Sequence, residues 1–141
     1  MKYTPPGRLK TIGAFREAIA AIDPAFACVD EPTGEGSPLA TPITTMGRTL
    51  ANRFAVHPME GGDATVDGRP TELTRRRWRR FGSSGATLIW GGEAFAVEGD
   101  GRANPNQRCL NPEADTEGGL ATLLEELATG AQESGGDHDA M

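Results

Sequence analysis

Two glutamates, Glu60 in "HPMEGG" (57–62) and Glu93 in "LIWGGEAFAV" (88–97), each stand just beyond a short run that predicts a strand. Paired carboxylates can exchange protons or hold a metal, but these two have neither metal-ligand spacing nor a third partner, so by themselves they define a place and no reaction. The other reactive side chains are sparse. The histidines are His57 and His138, and there is no Gly-x-Ser-x-Gly elbow, which argues against a nucleophile–base triad. His57 either lines a pocket at a strand end or is a satisfied core histidine. Cys28 and Cys109 lack Cys-x-x-Cys spacing, so neither a zinc site nor a disulfide is implied, and both are expected as free thiols. No metal site is expected and no catalytic residue is assigned.

Neither GxGxxG nor a P-loop is present, which disfavours a Rossmann dinucleotide site. The run "RRRWRR" (75–80) has the composition of a nucleic-acid contact. At about 100° per residue, however, Arg75, Arg76, Arg79 and Arg80 fan over one solvent arc, while Leu73, Thr74, Trp78 and Phe81 form the opposite, packing arc. Arg77 falls inside that apolar arc and requires a carboxylate partner, because an unpaired buried charge is costly.

The elements that must position Glu60 and Glu93 follow from periodicity. "TIGAFREAIAAI" (11–22) predicts an amphipathic helix with Ile12, Phe15, Ile19 and Ile22 on one face and Thr11 as cap. Residues 23–42, with four prolines, read as an extended linker. "TPITTMGRTLANRFAVHPM" (41–59) predicts a hairpin turning at Met46-Gly47-Arg48 and then a strand over 53–57 that Pro58 closes. A helix over 71–83, a strand over 86–90 and a helix over 117–134 complete the pattern. The last helix has a stripe of Leu120, Leu123, Leu124 and Leu127, with Thr116 or Asp115 as cap. This strand-helix-strand-helix order predicts parallel strands, with ligands at their C-terminal ends. The loops there are long: about twelve residues after the first strand and about twenty-five after the second, where two to six are usual.

At 141 residues with net charge −6, 37% hydrophobic residues, 19 glycines and 10 prolines, the chain suits a loop-rich α/β protein with one modest core and is a poor general nucleic-acid binder. No run approaches the roughly 18 apolar residues that span a bilayer, and "MKYTPPGRLK" lacks a signal-peptide core, so the expected location is the cytoplasm.

The stretch 41–59 resembles the opening of the old yellow enzyme family of NADH:flavin oxidoreductases. The landmarks are Thr41-Pro42, Asn52-Arg53 and Pro58-Met59. They continue in order through "DGRPTE" (67–72), Trp78 where the family often has Tyr, Glu93-Ala94, and Gly101-Arg102, so that the resemblance spans residues 38–134. It implies an eight-stranded β/α (TIM) barrel that holds FMN non-covalently at the strand ends. In such a barrel a hydride passes from NADH or NADPH to the flavin and then commonly to an activated C=C bond of a small-molecule substrate. By the same resemblance, Pro58 and Met59 contact the flavin, Glu60 lies near its reactive edge, and Glu93-Ala94 forms the second strand end, with the Ala94 backbone facing the ring. The family often has Cys or Thr at the position of Glu60, and some members have a substrate-binding Tyr at that of Gly62. A carboxylate there disfavours the anionic reduced flavin by charge repulsion.

A β/α barrel takes about 200 residues or more. Here two strand-helix units follow an N-terminal helix and hairpin, and "GGDHDAM" falls where a third strand should begin. The family's third-strand Gln and its His-x-x-His or His-x-x-Asn pair are not found. The expectation is therefore the incomplete N-terminal portion of a (β/α)8 barrel, with 1–37 as N-terminal helix and linker and 38–141 as a partial FMN-binding barrel. The alternative is a catalytically inactive truncated product that acts as a small protein-interaction module through its long loops. No nucleic-acid or membrane partner is expected.

Overall fold

Residues 4–26, 28, 31, 34, 36–135 and 139–140 are described by a computed structural model, in two units, Met1–Thr33 and Gly34–Met141. In the first unit Thr11 accepts the Ala14 N–H at 3.1 Å and caps α1 (Ile12–Ala20), as its sequence requires. No residue of α1 is buried, and Ile12 and Ile22 are exposed.

The second unit opens with a hairpin, β1 (Ile43–Thr45) paired antiparallel to β2 (Arg48–Leu50) in the register Thr44 opposite Thr49. Its two-residue turn places Met46 at φ 49° and Gly47 at φ 75°, the left-handed pair whose twist matches that of the flanking strands. Asn52 then fixes the entry to the main sheet. Its side-chain carbonyl accepts the N–H groups of Phe54 and Thr87, its amide donates to the Gly85 carbonyl, and its own backbone N–H reaches the Thr87 hydroxyl.

That sheet is parallel, in the order β3 (Ala55–Val56), β4 (Leu88–Ile89), β5 (Asp139–Ala140), with Val56 opposite Ile89 and Ile89 opposite Ala140. The strand expected where "GGDHDAM" lies is thus present at its Asp-Ala step; residues 136–138, His138 included, lie outside the described residues. The strands of this sheet are two residues long, shorter than the five expected at 53–57 and 86–90; at their starts the Phe54 and Thr87 N–H groups turn to the Asn52 side chain.

Two helices cover one face of the sheet. Thr71 and Thr74 close a capping box on α2 (Glu72–Gly82), and Asp115 caps α3 (Thr116–Glu133) by accepting the Gly118 N–H at 2.9 Å. Trp78, Ile89, Leu123 and Leu127 form the core, flanked by Val56, Phe81, Phe95 and Leu120. Leu73 and Leu124, expected on the packing arcs, are instead exposed, because each helix touches the sheet along a stripe narrower than its apolar arc. The two helices meet at glycines: a Cβ on Gly82 would strike the Leu127 carbonyl, and one on Gly130 the Arg79 carbonyl. Glu126 clamps the pair, taking Arg75 Nε and Nη2 at 3.0 and 2.8 Å and Arg79 Nε at 2.8 Å. Half of the expected solvent arc of arginines is therefore an interhelical clamp.

Among the described residues of this unit, α2 and α3 lie on the same side of the sheet. Strand alternation puts Val56 and Ile89 on that side and Ala55, His57, Leu88 and Trp90 on the other, where Ala55, His57 and Trp90 are exposed. Parallel sheets are normally covered on both faces. Among the described residues, no helix is long and apolar enough to cross a membrane.

Candidate functional site

The C-terminal ends of β3 and β4 lie side by side, as parallel pairing requires, and backbone bonds join them: Trp90 N–H donates to the Val56 carbonyl at 2.9 Å and, beyond the strands, Ala94 N–H donates to the Met59 carbonyl at 3.1 Å. Of the expected contact residues, this brings Pro58, Met59 and Glu60 beside Glu93 and Ala94. Met59 is 71% exposed, Glu60 is exposed and Pro58 is half-buried, so this strand end presents an apolar side chain next to a carboxylate. Ala94 offers only its surface. Its N–H is held by Met59, and its carbonyl accepts Gln107 Nε2 at 3.1 Å.

Glu93 behaves differently from Glu60. Its side chain is fully buried, and Oε2 receives Trp78 Nε1–H at 3.2 Å and Arg77 Nη2 at 3.3 Å. The two glutamates that stand alike in the sequence thus have opposite surroundings, one in solvent and one beneath the strand ends. Arg77 finds the acidic partner it requires in Asp63, through Nε to Oδ2 at 3.0 Å and Nη2 to Oδ1 at 2.7 Å, as well as in Glu93. The Arg77 hydrogen bonds hold the Asp63 carboxyl below its ordinary value, against an opposing effect of burial. Asp63 and Gln107 were not legible as site residues from spacing. The clue to Asp63 was Arg77 itself, a cation on an apolar arc that must find a carboxylate.

The turn after Ile89 is shaped by Gly91 at φ 68° and Gly92 at φ 61°, a conformation that side-chain-bearing residues rarely adopt. A Cβ on Gly92 would lie 2.8 Å from the Trp78 ring, so the indole packs directly against this backbone. Trp78 in turn stacks on Phe95 at 6.4 Å, and the Arg108 guanidinium sits 4.4 Å over the other ring of that column, Phe95. Burial pushes the Arg108 pKa down.

The long loops are laced to one another. Ala64 N–H donates to the Asn106 carbonyl, Asn106 Nδ2 returns to the Ala64 carbonyl, Asn104 Nδ2 holds the Gly61 carbonyl, and Asn111 Nδ2 holds that of Asp67. Arg102 is committed to the carbonyls of Val66, Gly99 and Pro105. An open cavity of about 1130 Å³ lies between Val66, residues 97–99 and 109–115, and the start of α3, with Glu98, Glu113, Asp115 and Glu117 on its walls and Met59 not among its lining residues. A smaller apolar one of about 260 Å³ lies under Gly91 and Gly92. Among the described residues no three metal-ligating side chains gather. His57, exposed on the sheet face, is not a core histidine.

Parallel strands followed by helices, with long loops at the strand ends, make this a small α/β domain of the kind that builds β/α barrels. Its fold is similar to that of a variant of NCR from Zymomonas mobilis, at a TM-score of 0.50 and 22% identity over 74% of this chain and 31% of that one. It is likewise similar to morphinone reductase, at a TM-score of 0.52 and 22% identity over 76% of this chain and 27% of that one. Both neighbours belong to the old yellow enzyme family, and the likeness at this identity shows a shared fold. The chain spans about a third or less of the length of these structures. No protein-family model and no curated protein matches the sequence.

Proposed function

We propose that this chain forms the first part of an FMN-binding β/α barrel of the old yellow enzyme type. Pro58, Met59, Glu60 and Ala94 supply two adjacent ends of the flavin cradle, and Glu93 lies buried beneath them. The observation behind this reading is the Ala94 N–H to Met59 carbonyl bond, which makes one floor of two strand ends in a chain that shares its fold with two reductases of that family.

The residues fit the ring of the cofactor. Met59 gives it an apolar contact, Ala94 leaves room beside it, and Glu60 sets a carboxylate at its edge. They do not offer a basic side chain to a phosphate: of the arginines of the second loop, Arg102 is bound by three carbonyls and Arg108 is buried over the Phe95 ring. When bound, FMN supplies hydride transfer from NADH or NADPH to an activated C=C bond in the complete enzyme. The chain's own part is to seat and orient the ring. Glu60 acts on it electrostatically, opposing the build-up of negative charge.

A cradle with two strand ends binds weakly, with a dissociation constant of about 1 mM, equivalent to about 4 kcal/mol. The test is a titration of the isotope-labelled chain with FMN, followed by its amide resonances. Shifts confined to Met59, Glu60 and the 91–94 turn are expected. Shifts centred on the cavity walled by Glu113 and Glu117, or none at millimolar FMN, would refute the assignment, and micromolar affinity would show that the cradle is complete without further strands.

A further inference from the structure

We propose that Glu93 is a positioning residue, which fixes the Met59–Ala94 floor from beneath and touches neither cofactor nor substrate. The inference rests on reading those strand ends as a cofactor floor, and it goes beyond that reading by assigning a buried carboxylate outside the contact surface.

Four constraints meet in the short turn 91–94. Gly91 and Gly92 are both left-handed, and within the turn the Glu93 N–H donates to the Gly91 carbonyl, so contacts from outside add to one internal bond in holding two flexible glycines. The Trp78 ring supports Gly92 by direct contact. The Glu93 side chain then runs down into the protein, where Oε2 is bound by the indole N–H of that same tryptophan and by Arg77. One residue further on, the Ala94 N–H closes the floor onto Met59.

The carboxylate is therefore the link by which α2, through Trp78 and Arg77, holds the turn that presents Ala94. It also reaches the other strand end. Arg77 is bound to Asp63 in the loop after β3, and a Cβ on Gly61 would come within 2.5 Å of Glu93 Oε1 and 2.6 Å of Arg77 Nη2. The Gly61 backbone thus lies directly on the Glu93–Arg77 pair, and any side chain there would push the pair apart. Both halves of the floor rest on one carboxylate.

The charge matters as well as the shape. Glutamine at 93 keeps the length and can still accept the indole N–H, but it presents no charge to Arg77, and a hydrogen bond to a charged group is the stronger kind. Support to a site of this type acts by limiting the conformations of the groups that make contact, so its loss is read as local opening.

The experiment is amide hydrogen exchange by NMR on the whole chain without cofactor, comparing wild type, Glu93→Gln and Trp78→Phe. Exchange at Ala94 should be about tenfold faster in Glu93→Gln, with Leu123 and Leu127 in α3 unchanged. The Trp78 indole N–H resonance should move upfield as its acceptor loses charge. Unchanged exchange at Ala94 overturns the proposal, as does an equal acceleration at Ala94 and throughout α3, which would make Glu93 a general core residue. If Glu93→Gln does not fold, Trp78→Phe decides the matter: faster exchange at Ala94 supports the proposal and wild-type exchange there overturns it. Adding FMN to the wild type separates the two readings. Faster exchange in Glu93→Gln with no response of Met59 or Glu60 to FMN removes the cofactor assignment alone, whereas a response to FMN with no effect of Glu93→Gln removes the positioning role alone.

Discussion

Replacing Gly130 by alanine should destabilise the protein even though alanine is the better helix former. In an exposed helix interior the change would gain about 1 kcal/mol from lower backbone entropy in the unfolded chain. Here the new Cβ would strike the Arg79 carbonyl and lie 3.1 Å from the Ser83 nitrogen, backbone atoms of α2 and of its C-cap. Backbone cannot rotate away as the end of a side chain can, so the cost lies near the upper end of the overpacking range, about 3 kcal/mol. The net loss is about 2 kcal/mol, a fall of roughly 4–8 °C in the thermal midpoint of a chain this size. Gly13 is the control: it sits in α1 with nothing nearer to a Cβ than the Thr11 hydroxyl at 3.9 Å, so Gly13→Ala should raise helicity. Urea unfolding and far-ultraviolet circular dichroism of both variants measure the two signs. A neutral or stabilising Gly130→Ala would refute the close α2–α3 packing on which the sheet's helical cover depends.

Arg77→Met should cost about 3 kcal/mol in denaturant unfolding, because it leaves the Asp63 and Glu93 carboxylates without their counter-charge; a loss under 1 kcal/mol would mean that the pairs are solvated. The clamp at Glu126 should be acid-labile. The Arg75 hydrogen bonds first, and then those of Arg79, hold its carboxyl below the ordinary value of 4.5, so its stabilisation is complete above the unfolded-chain value and is lost as pH falls through the depressed folded one. Glu126→Gln should therefore flatten the acid limb of a stability–pH profile. High salt should do so in part, since both arginines are nearly half exposed. Acrylamide should quench Trp90, 55% exposed, and spare Trp78, 2% exposed, so that Trp90→Phe leaves a single protected emission; uniform quenching of the wild type would contradict the buried indole.

The order of elements was legible in the sequence because each signal was local. Thr11 and Asp115 stand at helix starts, Met46-Gly47 supplies the hairpin turn, and Leu123 and Leu127 recur at helical spacing. The pairing of Arg77 was legible for a different reason, since a cation on an apolar arc cannot be left alone. What spacing could not reveal depends on contacts across the sequence. Glu60 and Glu93 occupy equivalent positions after their strands, yet one is exposed and the other buried, and the difference comes from Trp78 fifteen residues away. The commitment of Arg75 and Arg79 to Glu126 was hidden in the same way, as was Gln107 beneath Ala94. Periodicity and Pro58 located the strand ends, while the opposite surroundings of the two glutamates came only from the packing.

The most direct test of the cofactor floor is an intermolecular nuclear Overhauser measurement between the ε-methyl of Met59, in a chain labelled at its four methionine methyls, and the ring protons of FMN. Contact of the flavin ring with Met59, and none with Met46 on the distant hairpin turn, is the predicted result. Ring contacts that bypass Met59, or FMN bound with its ring against Leu110 or Leu120 in the outer cavity, would contradict the account.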